Sequence, residues 1–166
     1  MKHLWILRHG KAVEGTPRVP DVQRPLAPAG REQSKAAGGF LRERYIQLDR
    51  AICSSSVRTR ETAEAALEAG HFRIPLDLTD RLYEADGTDL LEYLQELKDS
   101  ETSVLLVGHM PGVGELLSVL VTDKDDLALV FKPGTLVLVT LDAAHWSKLG
   151  KGKGELALLL PPAPGP

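Results

Sequence analysis

Two histidines of this 166-residue chain stand in matching contexts: the apolar run Leu4–Leu7 leads into Arg8-His9-Gly10, and Val104–Val107 leads into Gly108-His109-Met110-Pro111-Gly112. An imidazole titrating near neutrality can attack an electrophile or carry a proton. The glycines beside it either leave room for a ligand or serve a tight turn. A third apolar run, Arg50–Cys53, empties into Ser54-Ser55-Ser56-Val57-Arg58-Thr59-Arg60-Glu61-Thr62, which places Arg58 in the first turn of a following helix. Helix N-termini present free N–H groups and a positive dipole end, and arginine adds a fork of donors matched to a phosphoryl group. Arg8, His9, Arg58 and His109 together describe a local anion site. Plainer readings accompany each residue. Arg58 can pair with Glu61 or Glu64 on its own helix, and Ser54, Ser55 and Ser56 can be an N-cap cluster. Cys53 reads as a small buried hydrophobe; Trp5 and Trp146 read as packing residues. His3, His71 and His145 match no second element.

These residues need a scaffold that gathers distant strand ends. Short apolar runs alternate with longer helical patterns, so the chain reads as α/β, a mostly parallel sheet with helices on both faces. The strand expectations are His3–Leu7, Arg50–Cys53, Ser103–Val107, Thr135–Leu141 and Glu155–Leu160, with a short extended piece around Ile74–Leu78. The helical ones are Ala29–Tyr45, Val57–Ala69, Asp89–Lys98 and Val113–Val121, where apolar residues recur three and four apart, as in the stripe Leu90, Leu91, Leu94, Leu97. Gly10–Pro28, with four prolines and no period, reads as a loop crossing the surface. In such sheets ligands bind outside the carboxyl ends of the strands, and there the two histidine motifs can converge.

Composition narrows the functions. The length fits one domain, here 1–160 with a Pro-rich tail at 161–166, and 43% hydrophobic residues support a packed core. A net charge of −3 supplies no positive field for nucleic acid or anionic lipid, so any anion is held locally. The single cysteine suits a reducing compartment, and neither a signal peptide nor a membrane span is legible; the expectation is a cytoplasmic protein, monomeric or weakly self-associating. No carboxylate cluster accompanies the histidines, whose arginine neighbours repel a divalent ion, so neither a metal nor another cofactor is expected.

Taken together, the motifs resemble the histidine phosphatase superfamily, the fold shared with cofactor-dependent phosphoglycerate mutases. Arg8-His9-Gly10 is similar to its first motif, the Ser54–Thr62 segment to its arginine motif, and Val107–Gly112 to its second histidine motif. Leu82-Tyr83-Glu84-Ala85 falls where the family places its acidic proton donor. That run, Gln23–Gly30 and the short chain are most similar to the small SixA-type phosphohistidine phosphatases. The resemblance implies a three-layer sandwich and a metal-independent phosphatase: His9 the nucleophile, His109 catalytic and phosphate-binding, Arg8 and Arg58 binding phosphate, and Glu84 the acid, with Asp86 its rival. It implies phosphohistidine in proteins as substrate; small phosphomonoesters and a non-catalytic phosphate-binding module are the alternatives, a phosphomutase being disfavoured by the shortage of basic groups for a second phosphate. The gaps Arg60–Leu82 and Leu120–Thr135 leave little room for a lid, and Arg18, Arg24 and Arg31 mark a candidate docking patch for a phosphoprotein.

Overall fold

A computed structural model describes residues 1–123, 129–162 and 164. Six strands, β1 (Lys2–Arg8), β2 (Arg50–Ser54), β3 (Leu76–Thr79), β4 (Ser103–Gly108), β5 (Leu136–Leu141) and β6 (Gly154–Leu160), form one sheet in the order β3-β2-β4-β1-β5-β6. Strands β1 to β4 run parallel; β5 is antiparallel to β1, and β6 is antiparallel to β5. The connections among the parallel strands are helical: α1 (Pro28–Glu43), α2 (Val57–Ala69) and α3 (Gly87–Gln95), while α4 (Gly112–Val121) follows β4.

Alternation along the strands divides the core into two layers. Leu4, Ile6, Ile52, Val104 and Leu106 face α3 and α4, packing with Leu90, Leu94, Val113 and Leu116. Trp5, Leu7, Ala51, Cys53, Leu105 and Val107 face the other way, onto Ala37, Leu41, Ala63 and Ala66 of α1 and α2. Strand β4 is buried along its whole length, as a central strand covered on both faces must be. Trp5 and Trp146 are both core residues.

Element edges depart from expectation where capping outranks apolar period. Helix α1 stops at Glu43 because Tyr45 enters the left-handed region at φ 55. Helix α3 starts two residues early and ends at Gln95, because the Asp86 carboxylate accepts from Thr88 and Asp89 N–H while the Asp89 carboxylate reaches back to Asp86 N–H. The extended piece is shifted to Leu76–Thr79, in register with β2. The Gly10–Pro28 segment is pinned to the body, with a bridge between Ala12 and Leu26 and a 3₁₀ turn at Asp21–Gln23. The lid reading of the gap 120–135 falls partly on residues 124–128, and the tail reading partly on 163, 165 and 166, all outside the described residues.

Candidate active site

Because β4 pairs with both β1 and β2, the carboxyl ends of these strands share one rim. Register sets Arg8 opposite Gly108 and Cys53 opposite Val107, and His9 N–H donates to the Gly108 carbonyl at 3.0 Å. The two histidines thus meet across 100 residues of sequence: their ring centroids are 5.2 Å apart and tilted by 59°.

His9 is oriented by its own neighbour. Its Nδ1 lies 2.7 Å from the Gly10 carbonyl, and a carbonyl can only accept, so Nδ1 carries the proton and Nε2 keeps its lone pair. Burial pushes the pKa of His9 down to about 4, opposed by the Gly10 bond and reinforced by Arg58, Arg8 and Arg24; the ring is neutral at pH 7. Gly10 N–H donates to Thr62 Oγ1 at 3.1 Å, and a Cβ on Gly10 would stand 2.4 Å from the Gly30 carbonyl oxygen. The loop can lie on the first turn of α1 only because it has no side chain there.

His109 Nε2 is 2.9 Å from Ser54 Oγ. That hydroxyl also accepts Ser56 N–H at 3.3 Å, and Nε2 lies 3.5 Å from Ser56 Oγ as well, so two serine hydroxyls hold this edge of the ring. Burial, then the neighbouring His9 and Arg58, push the pKa of His109 down to about 3.

Arg58 sits where the sequence places it, in the first turn of α2, capped by Ser56, whose Oγ accepts from Thr59 N–H. Its side chain is only 7% exposed, and its partner is neither Glu61 nor Glu64. It turns inward, with NH1 donating to the Asp21 carbonyl at 2.8 Å and NH2 to Asp21 Oδ2 at 3.0 Å, whereas Glu61 accepts from Leu26 N–H and Glu64 faces Arg60. Arg8 NH1 donates to the Phe131 carbonyl at 2.5 Å. The Nε of each arginine and Nδ1 of His109 are buried without a partner among the described residues. An unpaired buried donor costs roughly 1–3 kcal/mol, and two arginine N–H groups beside an imidazole at one rim suit an anion.

A cavity of about 280 Å³ opens on this rim, with Asp21, Arg58, Tyr83, Glu84, His109 and Met110 in its wall. Arg8 and His9 are not wall residues; His9 adjoins the wall through its contact with the His109 ring. Glu84 is exposed at the cavity with a left-handed backbone, φ 56, a conformation that carries strain in a residue other than glycine. Its alternative partner Arg81 forms a two-point pair with Glu96 instead. Asp86 also borders the cavity, but its carboxylate is committed to capping α3.

The structure adds three residues that motif spacing does not isolate: Asp21, Tyr83 and Ser54. Tyr83 stands edge-on to His109, centroids 5.8 Å apart, and its hydroxyl donates to Asp21 Oδ2 at 2.7 Å. A signal for Asp21 exists in hindsight, since a buried arginine requires an anionic partner. Of the candidate docking arginines, Arg18 is exposed, but Arg24 binds Asp21 and the Val13 carbonyl, and Arg31 lies 3.6 Å from Glu61. Two of the three charges are therefore offset in place. His145 pairs with Asp99 at 2.7 Å, and His71 with Arg42 at 3.2 Å. Among the described residues no helix is long and apolar enough to cross a membrane, and no group of three or more His, Cys, Asp or Glu is placed to hold a metal ion.

Comparison with known proteins gives this geometry a context. Residues 4–103 match the sequence profile of the Histidine phosphatase superfamily (branch 1). An uncharacterized protein of Mycobacterium tuberculosis (strain ATCC 25618 / H37Rv) is 31% identical over 159 residues, covering 90% of this chain and 96% of its own. A "Phosphohistidine phosphatase SixA homolog" of Haemophilus influenzae is 28% identical over 151 residues, covering 84% and 88%. Among solved structures, the protein histidine phosphatase SixA complexed with tungstate superposes with a TM-score of 0.82 at 25% identity, covering 96% of this chain and 97% of that one.

Proposed function

The chain belongs to the histidine phosphatase superfamily and is a phosphatase; on that footing we propose that it dephosphorylates phosphohistidine in proteins, with His9 carrying the phosphoryl group between two displacements. The observation that carries this reading is the state of His9: neutral, with its Nδ1 proton committed to the Gly10 carbonyl and Nε2 left as nucleophile. In the first displacement Nε2 bonds to phosphorus as the bond to the leaving nitrogen or oxygen breaks. In the second, water attacks phosphorus, the Nε2–P bond breaks, and phosphate and neutral His9 are regenerated. Arg8 and Arg58 hold the negative oxygens through both steps, and His109, neutral beside them, serves as an N–H donor. Tungstate is a tetrahedral oxyanion, so its presence in the SixA relative supports a phosphoryl site of this kind.

The leaving group decides between substrate classes. An imidazole leaves as a weak base, with a conjugate-acid pKa of roughly 6.5, and needs little assistance. An alkoxide requires an acid. Glu84 at the cavity wall is the residue for that task, and its position favours small phosphomonoesters as the second reading. The two are separated by comparing kcat/KM on a phosphohistidine protein and on sugar and nucleotide phosphates, with and without Glu84→Gln. We expect the variant to lose activity on esters and keep it on phosphohistidine; equal loss on both would remove this division of labour. His9→Ala is expected to lower turnover on either substrate by roughly 10³-fold or more, and wild-type enzyme denatured in alkali during turnover of labelled substrate should carry its label on His9. A label on any other side chain ends the proposal.

A further inference from the structure

The mechanism above leaves Asp21 unused, although it joins three separate parts of the chain at the site. Its Oδ2 accepts from Arg58 NH2 and from Tyr83 OH, its Oδ1 from Arg24 Nε and NH2, and its carbonyl from Arg58 NH1. We propose that Asp21 is a positioning residue for phosphoryl transfer: it clamps the NH1 and NH2 end of Arg58, so that the Nε–H edge of the same guanidinium is the one offered to the phosphoryl oxygens. The proposal rests on the assignment of Arg58 to the phosphoryl group made above.

A guanidinium has five N–H donors arranged as two forks. Asp21 takes one hydrogen from NH1 and one from NH2, and Nε–H has no partner among the described residues. The carboxylate and the backbone carbonyl of Asp21 together occupy one end of the guanidinium without consuming the other. If Asp21 acted instead as an internal competitor for substrate, Arg58 would be masked and its removal would be activating. The clamp is itself braced. Tyr83 binds the carboxylate from another segment and Arg24 from the same loop, and the hydrogen bonds of Tyr83, then Arg58 and Arg24, hold its pKa down at about 2, so it remains an anion throughout the working pH range. The 3₁₀ turn at Asp21–Gln23 and the Ala12 to Leu26 bridge fix the loop that carries it.

The test is a double-mutant cycle on the full chain, with p-nitrophenyl phosphate as substrate and a melting curve for each variant. Asp21→Ala is expected to lower kcat by about 10²-fold, the loss typical of a misplaced binding group, with a smaller change in KM. Asp21→Asn, which keeps an acceptor for Arg58 or Tyr83, should recover part of that loss. In an Arg58→Ala background, Asp21→Ala should lower kcat no further, because its effect runs through that guanidinium. A kcat at or above wild type in Asp21→Ala overturns the proposal, and so does a full additional loss in the double variant. Should Asp21→Ala fail to fold, the Asn variant decides alone, with unchanged kcat counting against the clamp. Activity surviving in His9→Ala would defeat the underlying mechanism instead, so the two failures remain distinct.

Discussion

The two ends of the parallel strands treat charge in opposite ways. At the amino end, Lys2 Nζ donates to the Glu101 carbonyl at 3.1 Å and lies 5.6 Å from the centre of the Trp146 ring, whose Nε1 donates to the same carbonyl at 2.6 Å. Arg50 is held between Glu101 and Asp77 at 2.5 Å each, and the Glu101 bond leads in raising its pKa. At the carboxyl end, burial drives two imidazoles neutral, and arginine donors are left over. The amino end pairs its cations within the fold, with Glu101 Oε2 the buried atom left over; the carboxyl end leaves the Nε of two arginines unpaired among the described residues. Both Arg50 and Arg58 are largely buried and both touch carboxylates, but Arg50 Nε donates to Glu101 whereas Arg58 Nε has no partner among the described residues.

Exchanging losses between the two arginines breaks or sustains that contrast. Arg58→Ala is expected to lower kcat/KM by 10²-fold or more, about 2.7–4 kcal/mol for a lost charge-stabilising donor, with a modest change in melting temperature. Arg50→Ala should leave kcat near wild type and lower stability by about 2 kcal/mol, since its removal strands the carboxylates of Glu101 and Asp77 in a partly buried setting. Steady-state kinetics and urea unfolding of both variants check this. A catalytic defect in Arg50→Ala as large as that of Arg58→Ala would dissolve the distinction between the ends.

Acid titration sharpens it further. The folded pKa values of His9 and His109, about 4 and about 3, lie below the unfolded value of roughly 6.5. As pH falls below 6.5 the unfolded chain binds protons before the folded one, so stability present at neutral pH is lost progressively, down to about 4 for His9 and about 3 for His109. The slope is at most about 1.4 kcal/mol per pH unit for each histidine. His109→Gln should flatten the unfolding free energy across that window. Turnover, which needs neutral His9, is expected to persist below pH 6 and to fall as pH approaches 4. An acid limb centred near 6.5 and assigned to free enzyme would contradict the burial of His9.

What could be read from sequence is set by how local each signal is. Arg8-His9-Gly10, Ser54–Thr62 and Val107–Gly112 each follow an apolar run, and a strand ending in a glycine- or serine-rich turn is visible within ten residues. The reversed direction of β5 and β6 is not: Leu136–Leu141 and Gly154–Leu160 are apolar runs that carry no mark of polarity along the sheet. Asp21 was illegible for a different reason. It lies in a loop without period, and its partners Arg58 and Tyr83 are 37 and 62 positions away. Ser54 read as one of three capping candidates, yet Ser56 takes the cap and Ser54 turns to His109, a division set by where β2 ends relative to β4.

The smallest expected effect concerns a buried thiol on β2. Cys53 lies on β2 one residue before Ser54, fully buried, with its thiol donating to the Ser54 carbonyl at 3.0 Å. Burial pushes its pKa up to about 12, so at pH 8 almost none is thiolate, the form that reacts. Its side chain packs with Ala51, Ala63 and Leu105 in the layer under α1 and α2. Native protein should therefore resist thiol alkylation at pH 8, with labelling appearing only on unfolding. Cys53→Ala is expected to cost about 1 kcal/mol as a small cavity and to leave kcat unaltered. Rapid labelling of the folded enzyme, or a kcat defect in the alanine variant, would mean that the reserve of reactive groups at the carboxyl end extends one residue deeper into the sheet than the pairing pattern allows.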